Sequence, residues 1–158
     1  MLVNKKIEES STIDSKFYSS DSMFYESKKI FENTWQFVTH QSNLTEKNAF
    51  PFSYLDKFID EPLVIIKNKD GIVNCFSNVC THRGNILVED HSIVKNNLFC
   101  RYHGRKFNSD GECIFMPKFK NVVGYPSAND NLTKIHISKW RQFIFCSLSG
   151  NLKIDKFF

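Results

Sequence analysis

At 158 residues the chain has the size of one ordinary domain, and 41% hydrophobic against 24% charged residues excludes a disordered, collagenous or coiled-coil composition. The net charge of +4 includes no block of about five or six like charges, which argues against a nucleic-acid partner and a polybasic membrane contact. No apolar run nears the ~18–20 residues of a membrane helix, residues 1–6 lack a signal peptide's apolar core, and five unevenly spaced Cys suit reduced thiols or metal ligands, so a cytoplasmic protein is expected.

Residues 1–21 are polar and Ser-rich without sustained periodicity and read as a flexible arm. Asp21 or Ser22 can cap a helix over roughly 22–34, whose Phe24, Ser27, Phe31 and Trp35, with Ile30 beside them, recur at helical spacing and should pack on the body. This helix and a first strand make a unit over 22–48, followed by the main domain over 49–150 and a tail over 151–158. Strand-like runs occupy 36–40, 50–55, 63–67, 72–76, 97–100, 105–108, 113–116, 132–138 and 141–148. Asn68-Lys69-Asp70-Gly71 and Ser109-Asp110-Gly111 turn the chain between neighbouring runs. The architecture predicted is mostly β and antiparallel, preceded by one N-terminal helix. Sixteen Phe, which lack a polar handle, should be buried or face a partner surface.

Two segments break the strand pattern. Cys80-Thr81-His82-Arg83-Gly84 and Cys100-Arg101-Tyr102-His103-Gly104 each supply one thiol and one imidazole, with seventeen residues between His82 and Cys100. A following Gly permits a tight turn and lets backbone N–H groups approach a bound metal. Structural zinc usually takes two like ligands from one knuckle, Cys-x(2–4)-Cys or His-x(3–5)-His. Mixed Cys-x-His and Cys-x-x-His loops match instead a [2Fe–2S] cluster with two Cys on one iron and two His on the other.

In these loops the sequence resembles the Rieske family, and the resemblance extends to both flanks. Residues 30–40, a helix leading through Trp35 into a strand, look like the entry to the α subunit of ring-hydroxylating Rieske non-haem iron oxygenases. Residues 139–148 look like the closing strand pair, with Gln142 where Gly is more usual, and Arg105 stands where oxygenase-type members usually carry Trp. The resemblance implies a Rieske-type β-sandwich with a cluster-binding subdomain and a Rieske [2Fe–2S] cofactor. It further implies that Cys80 and Cys100 ligate the inner iron and His82 and His103 the outer one. Arg83, Gly84, Tyr102 and Gly104 would surround the cluster. Pro117 either belongs to a third, shielding loop or simply ends a strand.

In that family electrons arrive from a reductase or ferredoxin and pass to a mononuclear iron held by two His and a carboxylate in a C-terminal catalytic domain. His40, His91 and His136 lie far apart in sequence and offer no such triad, so the chain is expected to be the electron-receiving part, catalytically incomplete by itself, and a homo-oligomer is possible. A stand-alone Rieske ferredoxin and a zinc-stabilised interaction module are the competing readings. Cys75, Cys113 and Cys146 fall within strands and read as small buried hydrophobes.

Overall fold

The computed structural model describes residues 6–95 and 97–152, with only the backbone of Ile7. Residues 1–5 of the expected arm and 153–158 of the expected tail lie outside the described residues. Within the arm, a 3-10 turn at Ile7–Glu9 and a single turn of helix α1 (Lys16–Ser19) precede helix α2 (Asp21–Asn33). The cap of α2 is Ser20, whose hydroxyl accepts from the Met23 N–H, and not Asp21 or Ser22. The sequence stripe on α2 is only lightly covered: no residue of the helix is buried, and Phe24 and Phe31 touch the body edge-on at the ring of Phe58, with centroids 5.1 and 5.6 Å away. Polar contacts hold the helix end instead. Tyr54 Oη donates to Phe31 C=O at 2.8 Å, and Trp35 Nε1–H donates to Leu152 C=O at 2.6 Å.

Nine strands follow: β1 (Gln36–His40), β2 (Ala49–Tyr54), β3 (Glu61–Lys67), β4 (Val73–Ser77), β5 (Leu98–Phe99), β6 (Lys106–Phe107), β7 (Cys113–Phe115), β8 (Lys134–Trp140) and β9 (Phe143–Ser147). They form a six-stranded sheet, ordered β1-β9-β8-β4-β3-β2, and a three-stranded sheet, ordered β5-β6-β7, with antiparallel neighbours throughout. The sequence places every strand, but Arg141 and Gln142 belong to the β8-β9 turn, with Arg141 at φ +52°, and not to the last strand.

Strand β3 explains the layering. Leu63, Val64, Ile65 and Ile66 are all essentially buried, so this strand, paired on both sides by β2 and β4, has no wet face. Successive side chains point to opposite faces. Leu63 and Ile65 therefore join Leu44, Tyr54, Cys75, Ile144 and Cys146 in one core. Val64 and Ile66 join Phe76, Leu98, Phe107, Leu132 and the thiols Cys80, Cys100 and Cys113 in the other.

The small sheet is docked through its β6-β7 hairpin. Asn108 Oδ1 accepts from the N–H groups of Asp110 and Glu112, just as Asn68 Oδ1 accepts from Asp70 and Ile72 in the β3-β4 hairpin. Gly111, at φ +82°, sits so close to Phe76 that an added Cβ would lie 2.5 Å from the ring. Asn74 Nδ2, from β4, donates to Ser109 C=O and Asp110 Oδ1, both at 3.3 Å. Among the described residues no helix is long and apolar enough to cross a membrane.

Candidate metal centre

The two Cys/His loops share one backbone turn. In the first, Cys80 N–H donates to Asn85 C=O at 2.8 Å and Gly84 N–H to Cys80 C=O at 3.0 Å; in the second, Cys100 N–H donates to Arg105 C=O at 2.8 Å and Gly104 N–H to Cys100 C=O at 2.9 Å. The same five-residue turn is closed in both by a left-handed residue, Gly84 at φ +69° and Gly104 at φ +78°, a conformation that a side chain disfavours. Gly104 also lacks room, since a Cβ there would meet Pro117 Cγ at 3.0 Å. Pro117 thus follows β7 and lies against the second loop.

Each loop is fixed to the scaffold by residues that spacing alone did not single out. Asn78, 3% exposed at the end of β4, donates from Nδ2 to Val88 C=O at 2.7 Å and accepts at Oδ1 from Val88 N–H at 3.0 Å, which ties the start of the first loop to its return. Asn48 does the same for the connection to β5, donating to Val94 C=O and accepting from Val94 N–H. The only sequence signal for Asn78 was an amide at the end of a strand two residues before Cys80.

The loops face one another. The rings of His82 and His103 lie 4.8 Å apart between centroids at 76°, and Tyr102 lies against His103 at 3.7 Å. Nδ1 of His82 and Nδ1 of His103 are both buried and both without a hydrogen-bond partner. An imidazole nitrogen shut away from water without a partner is costly, and two of them on rings 4.8 Å apart are suited to receive a metal. Cys80 and Cys100 are each 2% exposed and neither is in a disulfide. Burial pushes the Cys80 thiol up, against the His82 backbone N–H that favours its thiolate. Burial also lowers the pKa of His82, helped by the nearby charges of His103, Arg105 and Arg83. Two buried thiols and two imidazoles with free Nδ1 atoms fit a cluster of the two-Cys, two-His kind. Among the described residues no three His, Cys, Asp or Glu side chains gather as they would around a single ion.

Arg105 departs most from expectation. It is 4% exposed, its Nη1 donates to Thr81 Oγ1 at 2.9 Å, and its Nη2 lies 3.2 Å from Asp130 Oδ1. Thr81 Oγ1 in turn donates to Asp130 C=O at 2.6 Å, so a residue after the second loop, a residue inside the first and a turn at Ala128–Asp130 are joined. The Asp130 carboxyl is held below the usual carboxylate range, first by the Ser127 backbone N–H and also by Arg105. The capping-box pattern Ser127-x-x-Asp130 was present in the sequence as a signal for that turn.

The remaining His and the thiols of Cys75 and Cys146 stand apart from the loops, while Cys113 shares the core of Cys80 and Cys100. His40 accepts from Ser42 N–H, His91 packs edge-on to Phe50, and His136 is exposed on β8. Cys75 and Cys146 are fully buried, with Cys146 pushed up to about 12 by desolvation, and Cys113 Sγ lies 3.1 Å from Tyr125 Oη.

Comparison with known proteins agrees with this geometry. The oxygenase subunit of carnitine monooxygenase from Acinetobacter baumannii is 31% identical over 136 residues, covering 85% of this chain and 36% of that protein. Toluate 1,2-dioxygenase subunit alpha from Pseudomonas putida is 35% identical over 129 residues, covering 78% and 28%. The chain therefore spans about a third of the length of these relatives. The apo crystal structure of the quaternary ammonium Rieske monooxygenase CntA superposes with a TM-score of 0.81 at 29% identity, covering 92% of this chain and 43% of that one. Naphthalene 1,2-dioxygenase with indole bound, at 24% identity and a TM-score of 0.72, shares the fold. The model of the Rieske [2Fe-2S] domain matches residues 34–126, more than half of the chain and both loops. With that match laid over two facing loops of buried thiols and free imidazole nitrogens, the chain belongs to the Rieske [2Fe-2S] domain family, whose cofactor is a Rieske-type [2Fe–2S] cluster.

Proposed function

We propose that this chain carries electrons within an oxygenase of the ring-hydroxylating type, with Cys80 and Cys100 holding one iron and the Nδ1 atoms of His82 and His103 the other. The observation that carries this reading is the pair of buried, unpartnered Nδ1 atoms on facing loops whose two thiols are equally buried. When bound, the cluster supplies one-electron chemistry at a potential above that of four-Cys plant-type clusters. The protein's own residues exclude water from the sulfur side and present the partly exposed His82 and His103 rings, with Tyr102 and Arg83 exposed beside them, toward a partner. Gly84, Gly104 and Pro117 shape the loops that hold those four ligands.

The donor in this reading is a reductase or ferredoxin, and the acceptor is a mononuclear iron held by another domain or subunit, with a homo-oligomer bringing donor and acceptor sites together. Two features favour an oxygenase part over a free-standing ferredoxin. Helix α2 and Trp35 are tied into the body by Tyr54 and by Leu152 C=O, and similarity to oxygenase subunits extends over 85% of the chain. Anaerobic reconstitution with iron and sulfide tests the proposal. Two irons and two sulfides per chain are expected, with Cys80→Ser and Cys100→Ser each losing the cluster; a protein that takes up a single zinc and no sulfide would refute it.

A further inference from the structure

One-electron reduction of a bound cluster would add one negative charge, so a fixed charge buried beside the ligand loops would bias the equilibrium. Arg105 is such a charge. Its guanidinium donates to Thr81, which stands between Cys80 and His82, and its backbone C=O accepts from Cys100 N–H at 2.8 Å. Its Nη2 also lies 3.6 Å from Met116 Sδ, next to Pro117, and its Cζ lies 5.6 Å from the centre of the Tyr125 ring. A permanently charged group, Arg is not able to escape burial by losing its proton. The remaining donor, Nε–H, is buried and has no partner among the protein atoms. A buried donor without an acceptor is costly to keep, and this one belongs to a side chain that bridges both metal-binding loops.

We propose that Arg105 is a positioning residue for the cluster, its free Nε–H donating to an acceptor atom of the bound group and its charge raising the reduction potential, while Asp130 is the counter-charge that moderates it. The proposal rests on the ligand assignment above. Asp130 is engaged from two sides, its Oδ2 accepting from the Ser127 N–H and Oγ–H while Oδ1 faces Arg105, so the carboxylate is held in place.

The test is a dithionite redox titration of the reconstituted wild type, R105M, R105K and D130N at one pH and ionic strength, followed by absorbance and EPR, with iron counted in each. R105M is expected to titrate at a lower potential than wild type, D130N at a higher one, and R105K between R105M and wild type. R105M and D130N break the same ion pair, so a purely structural clamp would move both the same way, and that result overturns the proposal. Should R105M fail to assemble, D130N decides: a potential equal to or below wild type overturns the charge role. Potentials unchanged across all variants, with a normal wild-type cluster, overturn this inference alone. A wild type that binds no such cluster overturns the ligand assignment as well.

Discussion

At the scale of single residues, chemistry and backbone conformation place different demands on the two loops. Cys80, His82, Cys100 and His103 stood out in the sequence by residue type and spacing, and the structure buries both thiols and brings the two imidazole rings within 4.8 Å of each other. Gly84 and Gly104 were legible as turn formers, and the structure adds that both close the same five-residue turn. Replacing either with Ala forces a side chain into a left-handed backbone, which costs about 1–2 kcal/mol. At Gly104 the 3.0 Å approach to Pro117 adds to this. Gly104→Ala is therefore expected to lower the urea midpoint more than Gly84→Ala, with more iron lost on gel filtration. The role of Arg105 was not legible, because Thr81 meets Asp130 across 49 positions and no local pattern announces such a contact. Asp130 has a further consequence for pH. Its carboxyl titrates lower in the folded chain than in the unfolded one, so its contribution to stability is present above the ordinary carboxylate range near pH 4 and is lost as the pH falls through the lower, folded value. Between pH 5 and pH 3, Asp130→Asn is expected to lose less stability than the wild type in denaturant titrations; equal losses would remove Asp130 from the acid response.

At the scale of elements, the antiparallel strands were readable from alternation and turn residues, and their ends shifted by only a few positions. Helix α2 shows what periodicity leaves out. Its apolar stripe was readable, but a stripe does not say how much of it is covered, and here Phe24 remains 49% exposed. The helix is fastened by Tyr54, which is 1% exposed and whose hydroxyl pKa burial pushes up, keeping it a donor at ordinary pH. Tyr54→Phe is accordingly expected to cost about 1–2 kcal/mol, more than Phe24→Ala, since a lost buried hydrogen bond outweighs a half-exposed ring. Thermal melts of the two variants check the order. The β6-β7 hairpin makes the opposite case, because a turn Gly that looked generic is also a packing contact. Gly111→Ala drives a methyl group into the Phe76 ring, and overpacking of this kind costs about 1–3 kcal/mol. It should loosen the small sheet that carries Cys113 and whose β5 and β6 flank the second loop.

At the scale of the whole molecule, one strand supports two cores. Ile65 and Ile66 are neighbours on β3 but point into different cores, and only the core of Ile66 contains Cys80 and Cys100. Either Ile→Ala change is expected to destabilise the fold by about 2–5 kcal/mol. Because the cores share β3, loss of the cluster's visible absorbance and loss of β-sheet circular dichroism should coincide on heating; separate transitions would mean that the halves fold independently. Exposure across the surface answers the sequence's question about Phe. Phe76 and Phe107 are buried, whereas Phe37, Phe99, Phe115 and Phe143 remain 38–58% exposed. All of this scaffold serves one arrangement, two buried thiols opposite two free imidazole nitrogens. Pulsed EPR of the dithionite-reduced, reconstituted protein with 15N-labelled histidine measures that arrangement directly. Strong coupling to two histidine nitrogens, lost to one when His82 or His103 is replaced and the cluster survives, is the expected result. A reduced cluster without directly bound nitrogen would contradict it.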